Sequence, residues 1–251
     1  MTAVKIGASY NSAVMIPMAK ILALDTSSDA CSVAYSDGKQ LIDRYELAAK
    51  SHTQRVLPMV AELLADVGVK VKQLDAIAFG AGPGSFTGLR IGLGVVQGLA
   101  FGADVPVLPV STLMAMAYGR TFRDATAPVT QVLSALDARM GEVYWGLYQC
   151  TSPTSIPLAV CADRVAAPDS VADFVPQDSP FVGVGSGWSY EPLAALTDQF
   201  QIDVYPSARD IVQLAAMYYE TGAALPVDQV QPVYLRNEIT WKKRQRIRSQ
   251  V

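Results

Sequence analysis

Histidine is almost absent from this sequence of 251 residues, which contains a single one, His52. A helical zinc site of the H-E-x-x-H type needs two histidines four residues apart, and Val56 stands four positions after His52. A histidine-based metal site is therefore excluded. His52 precedes a predicted helix, where a polar residue near the cap is a simpler interpretation than a catalytic group.

Cysteine is also scarce. Cys31, Cys150 and Cys161 form no C-x-x-C pair, and their odd number does not suit a disulfide framework. We expect a reducing, cytoplasmic environment. The sequence also lacks a G-x-S-x-G elbow and the histidines that a thiol or hydroxyl nucleophile needs as bases, so a hydrolase is not indicated.

Net positive charge and long apolar runs are missing as well. The net charge is −3 and the pI about 5.2, so any RNA contact must be local or made through a partner. No run approaches the roughly 18 apolar residues of a membrane span, so no membrane association is expected. Five basic residues between Lys242 and Arg248 leave two interpretations open, a solvated end or a contact with RNA or an acidic partner.

What the sequence does contain is a duplication. Segment 20–102 reads as three strands, a helix at 53–67, a strand and a second helix at 86–102. A short strand follows, and segment 129–222 then repeats the same order. This repeated unit predicts an α/β fold of two ribonuclease-H-like lobes, as in the actin/hexokinase-like (ASKHA) superfamily.

The duplication divides the chain into four parts. Residues 1–19 are interpreted as a variable N-terminal extension, with Met15 and Met18 as alternative starts. Residues 20–112 together with 206–225 form the predicted first lobe, which carries the two helices at 53–67 and 86–102. Residues 113–205 form the second lobe, and residues 226–251 an irregular basic tail.

Two aspartates occupy matching places in the two repeats. Asp25 and Asp137 each end the first strand of a repeat, where a carboxylate and the following turn can hold phosphate and its metal. The alternative is that both residues simply end strands and begin turns. Because "ARMGEV" after Asp137 offers no glycine-rich turn for a second phosphate, we expect nucleotide binding to be weak or vestigial, with no cofactor required.

The stretch "AGPGSFTGLRIGLG" at 81–94 holds five glycines. Its first part suits an anion-binding turn at a helix start, although no Gly-Lys-Ser/Thr ends it as in a P-loop. The candidate vestigial nucleotide or anion site therefore comprises Asp25, Thr26, Ser27, Gly82, Gly84, Ser85 and Asp137.

Further glycines follow at helical intervals, at positions 88 and 92 and again at 94, 98 and 102. Each glycine inside an exposed helix costs roughly 0.8 to 1 kcal/mol relative to alanine, so close packing must offset the loss. The alternatives are packing on the chain's own sheet and packing against another protein.

Together with the apolar stripe of the preceding helix, the glycine-spaced helix predicts a protein-binding face. Two such helices are suited to pair with the same helices of another copy or of a related subunit. The residues expected to contact the partner are Arg55, Met59, Leu63, Arg90, Leu93, Gly94, Val95, Gly98 and Leu99.

Several motifs resemble the TsaB (YeaZ) family, which takes part in forming threonylcarbamoyladenosine beside the anticodon of tRNA. They are "ILALDTSS", "HTQRVLPMV", "GPGSFTGLRIG" followed by "QGLA", "VSTL", "DARMGEVYWGLY" and "PVYLR". Gln54 stands where the family's usual "HSE" has glutamate, and Met140 stands where its "DARR" has the second arginine. Roles that need charges there are therefore not expected.

The resemblance implies an actin-like fold and a non-catalytic role. It implies a cytoplasmic protein that dimerises with a TsaD-type transferase and activates it, that forms homodimers in isolation, and that meets tRNA only within the complex. It also implies a TsaE-type ATPase docking on the pair. The alternative from another class is a small ATP-dependent phosphotransferase using Asp25 and Asp137.

Overall fold

The computed structural model describes residues 18–122, 130–175 and 180–236. The predicted extension and basic tail fall largely outside these residues, at 1–17 and 237–251. The first part of the chain forms the elements β1 (Ile21–Asp25), β2 (Ala30–Ser36), β3 (Leu41–Leu47), α1 (His52–Val67), β4 (Ala76–Gly82), α2 (Phe86–Ala103), β5 (Val107–Ser111) and α3 (Thr112–Phe122).

The second part of the chain contains shorter elements. They are β6 (Thr130–Arg139), β7 (Glu142–Cys150), β8 (Leu158–Ala159), β9 (Arg164–Ala166), β10 (Phe181–Val184), α4 (Glu191–Ala194), β11 (Phe200–Gln201) and α5 (Ala208–Glu220). Short 3-10 helices lie at Val71–Gln73, Pro168–Phe174, Ser186–Ser189 and Val227–Gln229.

The described strands form two sheets with equivalent strand orders. The first sheet is ordered β3-β2-β1-β4-β5, and the second is β11-β10-β6-β7-β8, with β9 also paired to β7. Read from the opposite edge, the second sheet matches the first strand for strand. In both, an antiparallel hairpin continues into parallel strands, since β1 pairs parallel with β4 and β6 with β10. The predicted two-lobed α/β fold is confirmed.

Alternation along β1 shows how the first sheet is covered on both faces. Leu22 and Leu24 pack in the cluster beneath α1 and α2, whereas Ile21 and Ala23 pack against α5. Side chains of a strand point to opposite faces in turn, so a strand buried on both sides is apolar throughout. This is the pattern of "ILALD".

Two helices are exchanged between the lobes. Helix α3 follows β5 of the first sheet but packs on β6 and β7 of the second, while α5 follows the second sheet and packs on β1 and β2 of the first. The two helices cross each other between the sheets. Gly119 of α3 lies so close to Asp210 of α5 that a β-carbon there would overlap the carboxylate.

The second repeat departs from its predicted form in three places. The predicted third strand is split into β8 and β9, and the helix predicted at 168–175 is a 3-10 helix that begins at Pro168. Helix α3 was not predicted at all, because it follows β5 without an intervening turn and its cap is the last residue of that strand. The Ser111 hydroxyl accepts a bond from the Met114 amide. The lobe boundaries near 112 and 206 remain predictions.

Helix α2 corrects the expectation that no segment is apolar enough for a membrane. Among the described residues it is the one helix whose length and composition alone would allow it to cross a bilayer, with a mean hydropathy of 1.3. A core helix of a folded domain passes the same test. Its buried residues lie against the first sheet and the turn that follows β1.

Substitution of the glycine at the α3–α5 crossing tests the exchanged-helix arrangement. Gly119→Leu should lower the free energy of unfolding by about 3 kcal/mol or more, because the new side chain must displace a buried carboxylate. Gly98→Ala is the matched control, since a β-carbon at Gly98 meets nothing within 4 Å and should stabilise an exposed helix by about 0.5 to 1 kcal/mol. Denaturant unfolding measures both, and equal effects would contradict the assigned crossing.

Candidate functional site

The turn after β1 is buried rather than open. Asp25, Thr26 and Ser27 are each at most 2% exposed. The Oδ1 atom of Asp25 accepts bonds from the Ser27 amide at 3.1 Å and the Ser27 hydroxyl at 3.0 Å. The Oδ2 atom has no partner and packs against Gly80, where a β-carbon would overlap it. The carboxyl group is thus enclosed by its own chain.

This enclosure changes the chemistry of the carboxyl group. Burial raises the pKa of Asp25 to about 7, and the two bonds from Ser27 only partly oppose this effect. A carboxyl group that is half protonated near neutral pH and has no free face is a poor ligand for a metal-bound phosphate.

The start of α2 closes over this turn through three small residues. A β-carbon at Gly88 would overlap the carbonyl oxygen of Thr26, one at Gly92 would lie 2.8 Å from the Thr26 hydroxyl, and one at Gly84 would lie 2.5 Å from the carbonyl oxygen of Ser27. The Thr26 hydroxyl also donates to the Gly88 carbonyl at 2.7 Å. Gly84 and Gly88 are needed because backbone meets backbone here, and Gly92 leaves room for the Thr26 side chain.

Ser85 caps α2 as predicted from the sequence. Its hydroxyl accepts a bond from the Gly88 amide at 3.3 Å, and its own amide donates to the Ser27 carbonyl at 2.7 Å. The amide that would face an anion in this turn is therefore used inside the molecule. Gly82, at a φ of 111°, approaches the carbonyl oxygen of Val233, which a β-carbon would meet at 2.7 Å.

Asp137 lies two residues before the end of β6, the strand of the second lobe equivalent to β1, and does not bond to Asp25. Its carboxylate accepts bonds from the Tyr190 hydroxyl at 3.0 Å, the Arg139 amide at 2.9 Å and the Arg139 guanidinium at 3.2 Å. The Asp137 backbone amide donates a hydrogen bond to the Ser186 hydroxyl at 3.0 Å. Within the described residues the two aspartates, each held by its own turn, form no shared carboxylate pair.

The glycines of α2 fall into two sets with different surroundings. Gly88 and Gly92 are buried against the β1 turn, so of the two alternatives it is packing within the chain that applies to them. Gly94, Gly98 and Gly102 face outward, and a β-carbon at any of them would meet nothing within 4 Å. Phe101, between the last two, is 82% exposed.

The exposed side of α1 lies beside this outward face of α2. Both helices pack on the same side of the first sheet, so their outer sides belong to one surface. We name this surface the α1–α2 face, and it consists of Leu57, Pro58 and Ala61 with Gly94, Gly98, Phe101 and Gly102. Leu57 is 49% exposed, a large fraction for a leucine within a helix.

Several residues predicted to contact a partner are buried in the chain itself. Met59 and Leu63 are almost fully buried in the core beneath α1, so the prediction that they contact a partner is wrong. Their helical spacing indicates an apolar side but not which side faces the sheet. Leu93, Val95 and Leu99 are half-buried against the same core.

The two predicted arginines are both engaged within the chain. The Arg55 guanidinium donates to the Glu46 carboxylate on β3 at 2.6 and 3.1 Å. The Arg90 guanidinium lies over the Phe86 ring, 3.8 Å from its centroid, and its Nε donates to the Tyr234 hydroxyl at 3.3 Å. Both remain near the edge of the α1–α2 face, held in defined positions.

Sequence reasoning missed a polar network between the lobes. The Asp163 carboxylate accepts bonds from the Ser111 hydroxyl at 2.9 Å and from the Tyr148 hydroxyl. Burial raises the pKa of Asp163, and these two bonds oppose the shift. No local pattern identifies this network, because its members are 15 to 52 residues apart. Two quoted motifs contain members of the network, "VSTL" with Ser111 and "DARMGEVYWGLY" with Tyr148, but neither shows that these residues meet.

The C-terminal segment, residues 230–236, was also missed, because it was assigned to an irregular tail. The Val233 amide donates to the Ala81 carbonyl at 2.7 Å, and the Tyr234 ring lies 5.3 Å from that of Phe86. Arg236 donates to the carbonyl of Ala138 at 3.0 Å. The segment thus contacts both lobes.

The buried carboxyl group gives a pH-dependent prediction. In the unfolded chain Asp25 ionises near pH 4, whereas in the fold it stays protonated to about pH 7, so its contribution to stability falls as pH rises between these values. The free energy of unfolding of Asp25→Asn minus that of the unsubstituted chain should therefore increase by about 2 kcal/mol from pH 5 to pH 8.

Denaturant unfolding at the two pH values measures this difference. Any fixed cost of placing an amide at position 25 is the same at both and cancels. Asp198→Asn, at an exposed side chain, serves as the control and should show no such change. A difference for Asp25→Asn that does not vary with pH would contradict the buried, protonated carboxyl group.

Comparison with known proteins identifies the family. The sequence model described as TsaD, tRNA N6-adenosine threonylcarbamoyltransferase, matches residues 43–218. The tRNA threonylcarbamoyladenosine biosynthesis protein TsaB of Escherichia coli K12 is 41% identical over 229 residues, which cover 89% of this chain and 97% of that protein. The protein of the same name from Haemophilus influenzae is 41% identical over 89% of this chain and 96% of its own length.

A solved structure agrees with these relatives. The structure of YeaZ from Pseudomonas aeruginosa superposes with a TM-score of 0.80 at 42% identity, covering 87% of this chain and all of that one. The TsaD match extends over the central part of the chain, whereas the TsaB matches extend over nearly the full length of both proteins. The chain therefore belongs to the TsaB (YeaZ) family of tRNA threonylcarbamoyladenosine biosynthesis proteins.

Proposed function

We propose that this chain is a non-catalytic subunit that binds a TsaD-type threonylcarbamoyl transferase through the α1–α2 face and activates it. The relatives named for tRNA threonylcarbamoyladenosine biosynthesis support a role in that process. The observation that carries the finer proposal is the exposed stripe of Gly94, Gly98 and Gly102 beside Phe101 and Leu57.

The composition of this face suits helix–helix docking. A β-carbon at any of the three outward glycines would have no atom within 4 Å, so these residues leave a shallow groove along α2. A partner helix can approach the α2 backbone closely in this groove. Phe101 and Leu57 supply the large apolar side chains that gain most from burial, and aromatic residues are enriched among the residues that dominate binding energy. Without a partner, the three exposed glycines lower the helical stability of α2, and no packing contact offsets the loss.

A paralogous partner is favoured by the match to the TsaD model. A chain of related fold carries helices equivalent to α1 and α2, so the two faces can pair in a pseudo-symmetric four-helix contact. The same geometry allows two copies of this chain to pair. We therefore propose a homodimer in isolation that the heterodimer replaces, with a TsaE-type ATPase docking on the heterodimer.

A non-catalytic role is supported by the state of the two aspartate turns. The Asp25 carboxyl group is enclosed, and burial raises its pKa. The Asp137 carboxylate is bonded to Tyr190 and Arg139. In the part of the chain that the structure describes, no three His, Cys, Asp or Glu side chains gather as a metal-binding group. The phosphotransferase alternative loses its main support, since one of its two carboxyl groups is enclosed and the other is bonded within the second lobe. We propose that no cofactor is required.

The remaining parts of the proposal concern tRNA and location. The net charge of −3 gives no overall attraction to RNA, so we propose that tRNA is contacted only within the complex. The two fully buried cysteines, Cys31 and Cys150, are free thiols, which suits the reducing cytoplasm proposed for this protein.

Substitutions on the α1–α2 face test the partner assignment. Gly94→Arg and Phe101→Asp should each weaken binding to the TsaD-type paralogue at least tenfold, because a long or charged side chain would have to be buried between helices. Titration calorimetry or co-purification with the paralogue measures the loss. Both positions are exposed, so neither substitution should change the free energy of unfolding by more than about 1 kcal/mol.

The matched control is Leu158→Asp. Leu158 is 69% exposed and lies on β8 at the edge of the second sheet, away from α1 and α2. This variant should bind the paralogue as tightly as the unsubstituted chain. Retention of full affinity in both Gly94→Arg and Phe101→Asp would exclude the α1–α2 face as the binding surface.

A further inference from the structure

The C-terminal segment connects the β4–α2 turn of the first lobe with the β6–β7 turn of the second. After α5, the chain pairs with β5 through two bonds between Val107 and Leu225, and Val230 enters the core beneath α2. Val233 then lies against the end of β4, donating to Ala81 while its carbonyl oxygen occupies the space left by Gly82. The segment is thus fixed on the first lobe.

Tyr234 fixes the same segment to the start of α2. Its ring lies beside Phe86 at a centroid distance of 5.3 Å, and its hydroxyl accepts a bond from Arg90 at 3.3 Å. Arg90 also covers the Phe86 ring. The side chains of Phe86, Arg90 and Tyr234 form a small cluster at the start of α2, although Tyr234 is 144 residues from Arg90 in the sequence.

Arg236, two residues later, is fixed on the second lobe. Its guanidinium donates to the carbonyl of Ala138 at 3.0 Å and of Arg139 at 3.4 Å, and it forms an ion pair with Glu142 across the β6–β7 turn. The Arg236 side chain is 19% exposed, so these bonds are largely shielded from water. Partly buried, multidentate arginine contacts are stronger than exposed pairs.

We propose that residues 230–236 act as a strap that holds the two lobes at a fixed separation. Two-lobed folds of this kind commonly open and close about a hinge. Here the strap connects the β4–α2 turn of the first lobe, through Val233 and Tyr234, to the β6–β7 turn of the second lobe, through Arg236. The Arg236 contacts therefore keep the molecule in a single interlobe arrangement, a conformational restraint that does not depend on the partner proposed above.

The strap is tested by the interlobe distance in the full chain. Spin labels at Gln54 on α1 and Asp198 in the second lobe, with the partly exposed Cys161 replaced by serine, report this distance by pulsed electron resonance. The unsubstituted chain should give one narrow distribution. Arg236→Ala should broaden or shift it, and hydrogen exchange at the Val233 amide should become about tenfold faster or more.

Arg209→Ala is the matched control. The Arg209 side chain is 18% exposed and forms an ion pair with Asp43 at 2.7 Å. The substitution therefore removes a comparable ion pair whose two members both lie in the first lobe. This variant should lose stability but keep the narrow interlobe distribution. A narrow distribution and unchanged Val233 exchange in Arg236→Ala would overturn the strap.

Milder variants keep the test decisive if Arg236→Ala does not fold. Glu142→Gln removes the ion pair but leaves both carbonyl bonds, and Tyr234→Ala removes the ring cluster on the first lobe. Each should broaden the distribution less than Arg236→Ala is expected to. If both fold with the distribution and the Val233 exchange of the unsubstituted chain, the strap is excluded.

Discussion

The contact between the turn after β1 and the start of α2 is the constraint on which the rest of this structure depends. Backbone meets backbone at Gly84 and Gly88, and Gly92 lies against the Thr26 side chain. The contact is possible because none of these three residues carries a β-carbon. It buries Asp25 and uses the turn's polar groups internally. It also fixes the rotation of α2 about its axis, which turns Gly94, Gly98 and Phe101 outward.

The glycine-rich stretch therefore has two structural consequences: it closes the turn after β1, and it fixes which side of α2 faces outward. Where a phosphate would sit between turn and helix in an open site, this chain places its own helix backbone, so the site is filled by protein. The same helix, held this tightly at its start, presents a rigid outer side. The closed turn after β1 and the proposed docking surface are two results of one packing arrangement.

Much of the fold could be predicted from the sequence because both repeats show clear hydrophobic periodicity. Strands β1 to β3 and helices α1 and α2 were predicted to within about two residues, since "ILALD" and the long apolar helices carry strong signals. Helix α3 could not be predicted, because it begins directly after β5. The exchange of α3 and α5 depends on contacts between residues nearly 100 positions apart, such as Gly119 and Asp210.

The candidate site was only partly predictable for a related reason. Helical spacing showed that Met59, Leu63 and the glycines lie on apolar sides, but which side faces the sheet is decided by tertiary packing. The pairing of Asp25 with Asp137 was inferred from equivalent places in two repeats. Each aspartate is instead held by its own turn, which only the positions of Ser27, Tyr190 and Arg139 reveal. The motif "PVYLR" at 232–236 marked the strap residues but not their contacts with both lobes.

The measurement that tests the central claim most directly is reconstitution of tRNA modification. Purified TsaD-type paralogue, a TsaE-type ATPase, tRNA and threonylcarbamoyl-adenylate are combined with and without this chain, and threonylcarbamoyladenosine in the tRNA is quantified. We expect formation to depend on the unsubstituted chain and to persist with Asp25→Asn, because we propose that this side chain has no catalytic role. Equal product without the chain, or complete loss of product with a folded Asp25→Asn variant, would contradict it.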